Sequence, residues 1–273
     1  MAKPNFIELS REDQIPILYE DRSIIAIDKP AGWMLVPVSW QRTSWNLQAA
    51  LMSSIVAGHF WARSRNIKFL KYIHRLDAET SGILLFGKSP GAVNTFGDLF
   101  ESRQMEKIYL AVTDEAPKET EWTCRLSLAQ HAKEFGRIVP DKNGKPAETD
   151  FRLIGNAAGR YLIEARPYSG RTHQIRVHLA QSGYPILGDE LYGKGEGDMM
   201  LRAVGLAFRD PFNGKPVSIR APLDEFLKKS GFAGTNYRVE FRTVPGQAAG
   251  KPPLANQSKE TKKANPSETE NRK

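Results

Sequence analysis

Along the first 240 or so residues, short apolar runs alternate with clusters of turn-forming residues. Ile17-Leu18-Tyr19 and Ile24-Ile25-Ala26-Ile27 have strand composition, and Asp28-Lys29-Pro30-Ala31-Gly32 closes the second with a turn signal. Between Leu47 and Val56 the apolar positions Leu47, Ala50, Leu51 and Ile55 recur at helical spacing. Ser89-Pro90 reads as an N-cap followed by proline at the first helical position, with Val93, Phe96, Leu99 and Phe100 as the inner face. Strands are predicted at Ile108–Val112, Phe151–Ile154 and Tyr161–Ala165, and Asn213-Gly214 between Phe208 and Val217–Ile219 predicts a hairpin. The strands follow one another rather than alternating strictly with helices. The expectation is an α+β fold: a mixed, mainly antiparallel central sheet with flanking helices.

Composition changes sharply after Val244. Residues 245–273 contain no aromatic or β-branched aliphatic side chain and carry a charge of +3 out of the net +8. Such a stretch cannot bury enough apolar area to offset its ordering entropy, so 1–244 is expected to fold and 245–273 to form a disordered basic tail. The densest apolar run, Ile83-Leu84-Leu85-Phe86, is far too short to span a bilayer, and the start, Met1-Ala2-Lys3-Pro4, becomes charged too early for a signal peptide. A soluble, cytoplasmic protein without a membrane partner is expected. The single cysteine, Cys124, excludes an internal disulfide and a multi-cysteine zinc site. About 16 residues precede the first predicted strand, too few for a separate RNA-binding module.

Three segments are candidates for chemistry. His74-Arg75-Leu76-Asp77-Ala78-Glu79-Thr80-Ser81-Gly82 lies between the apolar runs Phe69–Ile73 and Ile83–Phe86, as a loop held by a rigid frame would. If it is extended, Arg75 and Asp77 point the same way; a turn aspartate bonding backbone amides is the plainer alternative. In Gly170-Arg171-Thr172-His173-Gln174-Ile175-Arg176-Val177-His178, Thr172 is the expected helix cap, Ile175 and Leu179 the buried side, and Gly183 the end signal. A solvated basic helix face would look the same. His173 and His178 stand five apart, not the four that would place two zinc ligands on one face. In Lys107-Ile108-Tyr109-Leu110-Ala111-Val112, Tyr109 shares a face with Ala111 and could stack on a base or simply be half-buried. Gly193–Gly197 lacks the context of a nucleotide fingerprint and reads as a flexible loop. Aromatic and basic residues interleave in Trp40–Trp45 and His59–Arg65, which suits stacking and phosphate contact on RNA, or buried tryptophans beside solvated arginines.

Taken in order from Ile17 to about Phe226, these segments resemble the RluA family of pseudouridine synthases. The resemblance rests on Asp28-Lys29-Pro30-Ala31-Gly32, His74-Arg75-Leu76-Asp77 with Thr80-Ser81-Gly82, Lys107-Ile108-Tyr109-Leu110-Ala111, Gly144–Thr149, Gly170–His178, and Gly183–Asp189 with Tyr192-Gly193. It implies a sheet split by a catalytic cleft, catalysis by Asp77, a pairing Arg176 and a base-stacking Tyr109. It also implies RNA contacts from Arg75, which is implicated in displacing the base, and from His74, Arg171, His173 and Gln174. Neither a metal nor an organic cofactor is implied, and the family's optional amino-terminal S4-type module is not expected. Relatives commonly carry histidine where this chain has Arg202. The expected partner is structured RNA, ribosomal or transfer, and the expected state a monomer.

The chemistry fits these residue types. Uridine isomerisation breaks N1–C1′, turns the base and forms C5–C1′, so no redox change is needed. It needs an ionised carboxylate as nucleophile or base, and an adjacent cation lowers a carboxylate pKa by about one to three units. A stacking ring retains the detached base at about 1–3 kcal/mol, and flipping it out of a stem costs a few kcal/mol. Two other readings are a noncatalytic RNA-binding or chaperone protein of the same fold, and a metal-dependent nuclease using Asp77 and Glu79.

Overall fold

A computed structural model of the chain describes residues 2–9, 14–35 and 45–242. The tail expected at 245–273, and Trp40 to Ser44 of the first aromatic–basic segment, lie outside the described residues. In chain order the elements are β1 (Phe6–Glu8), β2 (Gln14–Glu20), β3 (Ile24–Lys29), α1 (Leu47–Val56), α2 (Phe60–Arg63), β4 (Lys71–Tyr72) and β5 (Ser81–Gly87). They continue as α3 (Pro90–Glu101), β6 (Glu106–Thr113), β7 (Glu121–Gln130), β8 (Ile138–Pro140), β9 (Lys145–Ala157) and β10 (Arg160–Pro167). The last are α4 (Gln174–Gln181), β11 (Leu201–Arg209), β12 (Pro216–Arg220) and α5 (Asp224–Ser230).

The strands form one sheet in the order β1-β2-β3-β5-β11-β6-β10-β9-β7-β8, with β12 beside β11 and β4 beside β5. The α+β, mainly antiparallel expectation holds. The exception is β5 against β11, which run parallel and pair only at Arg202↔Ser81 and Ala203↔Gly82. Gly82 is required there. Its φ is +109°, and a Cβ would fall on the carbonyl of Ala203. The narrow junction divides the sheet into two halves, each with its own core. One gathers Ile25, Ile27, Leu84, Phe86, Phe96 and Trp61; the other gathers Ile108, Leu110, Leu162, Ile163, Leu179 and Val204.

Local signals act as their chemistry requires. Ser89 Oγ accepts from the Ala92 amide at 3.1 Å, capping α3, and Asn46 caps α1 through Ala49. Gly214, at φ +69°, closes the β11–β12 hairpin. Thr172 does not cap α4. His173 occupies that position in the left-handed conformation, φ +53°, with no side-chain cap bond. The chain turns sharply before the helix, and the His173 ring meets Tyr192 and Asp77 instead of capping it. The first strand begins earlier than the expected position near residue 17, since Phe6–Glu8 already forms β1 against β2. In the second aromatic–basic segment the tryptophan is buried, as in one of the two alternatives, but Arg65 is paired within the protein and not solvated. Trp61 is buried, and Arg65 pairs with Glu20 at 2.7 Å and donates to the Pro4 carbonyl.

Candidate active site

The junction between the half-sheets opens into a cleft of about 1560 Å³, lined by the loop 74–80, Lys107 and Tyr109 of β6, residues 169–176, and Met199 and Leu201. The loop carrying Asp77 is fixed from below. Lys29, fully buried at the end of β3, donates to the carbonyls of Pro30, Trp33 and Ala78 at 2.8–2.9 Å. The Gly32 amide also donates to Ala78 O, at 2.8 Å. Burial pulls the Lys29 pKa down to about 8, against the attraction of Glu79 and Asp77. The Asp28–Gly32 turn therefore does more than end a strand: it clamps the residue next to Asp77.

Arg176 reaches Asp77 from α4, its Nη1 donating to Oδ2 at 3.1 Å. The other side of its guanidinium is held by Asp189, from Nε to Oδ2 at 2.7 Å and from Nη2 to Oδ1 at 2.8 Å. Asp189 is fully buried and also accepts from the amides of Leu191 and Tyr192. Burial opposes charge on both partners, but the paired hydrogen bonds outweigh it. The Asp189 pKa is lowered, and Arg176 is held firmly protonated by Asp189 and Asp77. The Tyr192 ring lies under the guanidinium, 5.2 Å from centroid to Cζ. Arg176 can thus offer one N–H edge to Asp77 without swinging away. Asp77 Oδ1 makes no hydrogen bond among the described residues, and the side chain is 24% exposed.

His173 stands 3.8 Å from Asp77 through Nε2, while its Nδ1 meets the Tyr192 hydroxyl at 2.9 Å. Burial lowers its pKa more than Asp77 raises it, so this contact is that of a neutral imidazole rather than an ion pair. Tyr109 faces the cleft half-buried, packed between the two cores. Burial and the nearby Asp77 raise its pKa, keeping it a neutral phenol. Arg75 reaches across the mouth to Thr172 Oγ1 at 3.4 Å.

Two predicted contacts are engaged by the protein itself. Gln174 is buried; its Oε1 accepts from Ser169 Oγ and the Arg171 amide, and its Nε2 donates to Glu148 O and Thr149 Oγ1. His74 stacks on Phe100 at 4.4 Å, and its Nε2 accepts from the Leu85 amide. Burial drives its pKa to about 3, so it is neutral. Among the described residues, no three His, Cys, Asp or Glu side chains are grouped so as to hold a metal ion. No described helix is long and apolar enough to cross a membrane. The sequence reading passed over Asp189 and Lys29. Both stand in quoted motifs, yet their decisive partners, the Ala78 carbonyl for Lys29 and the Arg176 guanidinium for Asp189, lie far along the chain.

A sheet divided by a cleft, with a substrate-accessible carboxylate beside a braced arginine, is the architecture of an enzyme that works on a large substrate. The RNA pseudouridylate synthase family is matched over residues 23–181. The ribosomal large subunit pseudouridine synthase C of Escherichia coli K12 is 33% identical over 227 residues, 78% of this chain and 68% of the relative. An RNA pseudouridine synthase of Zymomonas mobilis described as uncharacterized is 34% identical over 224 residues, covering 79% and 97%. The human RNA pseudouridylate synthase domain containing 1 superposes with a TM-score of 0.62 at 25% identity over 79% of this chain and 86% of that one. Human domain containing 4 gives 0.64 at 22% identity, over 78% and 90%, and bears on the fold alone. The chain belongs to the RNA pseudouridylate synthase family. It is an RNA-modifying isomerase, not the noncatalytic binder or nuclease also considered.

Proposed function

We propose that this chain isomerises a uridine of a structured RNA with Asp77 as the reacting carboxylate. The observation that carries the assignment is the pairing of Asp77 with an arginine whose remaining donors are locked on Asp189. Asp77 Oδ1 is left to meet the nucleoside, as nucleophile or base, while Arg176 holds Oδ2. Tyr109 stacks on the base while its N1–C1′ bond is broken and C5–C1′ is formed, so that the base turns without escaping. The C5 proton then leaves to solvent. Arg75, at the mouth, fills the space of the extruded nucleotide or holds its phosphate, and Arg171 and His173 contact the RNA on the opposite lip. Gln174 and His74 are positioning residues, because their polar atoms are bonded within the protein.

Ribosomal RNA is the substrate class we favour, on the likeness to the E. coli enzyme of the large ribosomal subunit. The described residues up to 242 act as one catalytic unit, in a monomer. RNA labelled with tritium at uridine C5 tests the assignment. The wild-type protein releases tritium; Asp77→Asn releases at least about a thousandfold less while binding the RNA as before, since removing a reacting group costs several kcal/mol at the barrier. Undiminished release by Asp77→Asn would overturn the role given to Asp77.

A further inference from the structure

The cleft wall beside Tyr109 holds two cations, Lys107 and Arg103, that the mechanism does not use, and beside them Arg171, already placed on the RNA. Lys107 and Tyr109 are two apart on β6 and so project to the same side. The Lys107 ammonium is 9% exposed, and its one hydrogen bond goes to the Ser169 carbonyl at 2.7 Å. Two of its three donors find no partner among the described residues. Arg171 is held only by a long contact to Pro146 O, 3.4 Å, and Arg103 makes no side-chain bond among the described residues. All three line the cleft, and none has a carboxylate within ion-pair distance among the described residues. Burial first, then repulsion from Arg103 and Arg171, lowers the Lys107 pKa to about 8. His74, packed nearby, is neutral and offers no relief.

A buried cation with free donors, repelled by two more cations at the rim, costs stability unless an anion joins them. We propose that Arg103, Lys107 and Arg171 form a phosphodiester site that grips the RNA backbone next to the extruded uridine. The inference rests on the RNA reading of the cleft and adds the class of group held there and the residues that hold it. A single phosphodiester oxygen pair can take the two idle Lys107 donors while the two arginines approach from the rim. Because Lys107 shares a strand face with Tyr109, seizing that phosphate sets the register of the nucleotide over the stacking ring.

The probe is total RNA, tritiated at uridine C5, from cells lacking the gene. Arg103→Gln lies on an exposed turn and tests the site without disturbing the core; Lys107→Met keeps the volume of the buried chain. Each is expected to raise KM by about tenfold, to change kcat by less than about threefold, and to reduce the slope of log affinity against log salt by about one. In wild-type protein KM rises as pH passes from 7 to 9, with a midpoint near the Lys107 pKa of about 8. Arg103→Gln moves that midpoint upward, because it removes a repelling charge; a merely structural role would not. Loss of the Lys29 charge falls in the same range but acts on the Asp77 loop and appears in kcat. Unchanged KM, salt slope and midpoint in both variants would overturn the proposal. So would potent competition by millimolar inorganic phosphate, lost in the variants without change in KM for RNA, since the site would then serve free phosphate. Should wild-type protein release no tritium, filter binding of the same RNA still reads the salt slope, so failure of the catalytic reading is separated from failure of the site.

Discussion

At the scale of single residues, one guanidinium serves two carboxylates of different standing. Asp189 is sealed and fully bonded, and takes the bidentate edge of Arg176; Asp77 is partly exposed and receives the remaining N–H. The second carboxylate makes the first usable, because an arginine gripped by Asp77 alone would be free to fold over it. Behind this trio, α4 buries His178. Thr149 Oγ1 takes a hydrogen bond from Gln174 and meets His178 Nδ1 at 2.9 Å, while His178 Nε2 is buried without a partner among the described residues. Burial lowers the His178 pKa from 6.5 to about 4. The unfolded chain therefore binds a proton near pH 6.5 that the folded protein refuses until pH 4. The associated stability is complete above pH 6.5 and is lost as the pH falls towards 4. Between pH 7 and 5 this amounts to about 2 kcal/mol for one such histidine. In urea titrations at the two pH values, His178→Gln should lose less stability than wild type by about that amount. Equal losses would show that His178 protonates freely in the native state.

At the scale of elements, the decisive feature is the two-residue parallel contact between β5 and β11. Gly82→Ala combines a positive φ with a Cβ set against the Ala203 backbone. It should cost roughly 2–4 kcal/mol in urea unfolding and reduce turnover, because the Asp77 loop is the segment leading into β5. A variant as stable and active as wild type would mean that the junction adjusts freely. Elements with a local cause were legible in the sequence: Ser89-Pro90 begins α3, Asn213-Gly214 makes its hairpin, and Leu47–Val56 is α1 to the residue. β7 carries a strand alternation in Trp122, Cys124, Leu126 and Leu128, but its polar partners and lack of an apolar run hid it. That Asp77, Arg176 and Tyr109 share one cleft was legible through motif resemblance. The Asp189 brace was not, for its distance of 13 residues from Arg176 is bridged by a turn that local propensity does not encode. Lys107 could have been found, since strand periodicity puts it on the face of Tyr109.

At the scale of the whole molecule, the two half-sheets with separate cores are tied together by Arg202. From β11 its Nη2 donates to Asp28 on β3 at 2.7 Å and to Pro222 O, and its Nη1 to Ser81 Oγ on β5 at 3.2 Å. Arg202 is thus a clamp between halves. Arg202→Met should destabilise the protein by about 1–3 kcal/mol in chemical unfolding, because it leaves the partly buried Asp28 without its ion-pair partner. Adding Asp28→Asn should recover a substantial part of that loss. Additive losses in the double variant would refute the coupling. The division also bears on the proposed chemistry: Asp77 comes from one half, Tyr109 and Arg176 from the other, and only the assembled cleft brings them together. The most direct test of that account is to map pseudouridines in RNA from cells deleted for the gene and complemented with wild type or Asp77→Asn. The account predicts at least one pseudouridine that vanishes on deletion, returns with the wild-type gene and stays absent with Asp77→Asn; its return with the variant, or an unchanged map on deletion, would contradict it.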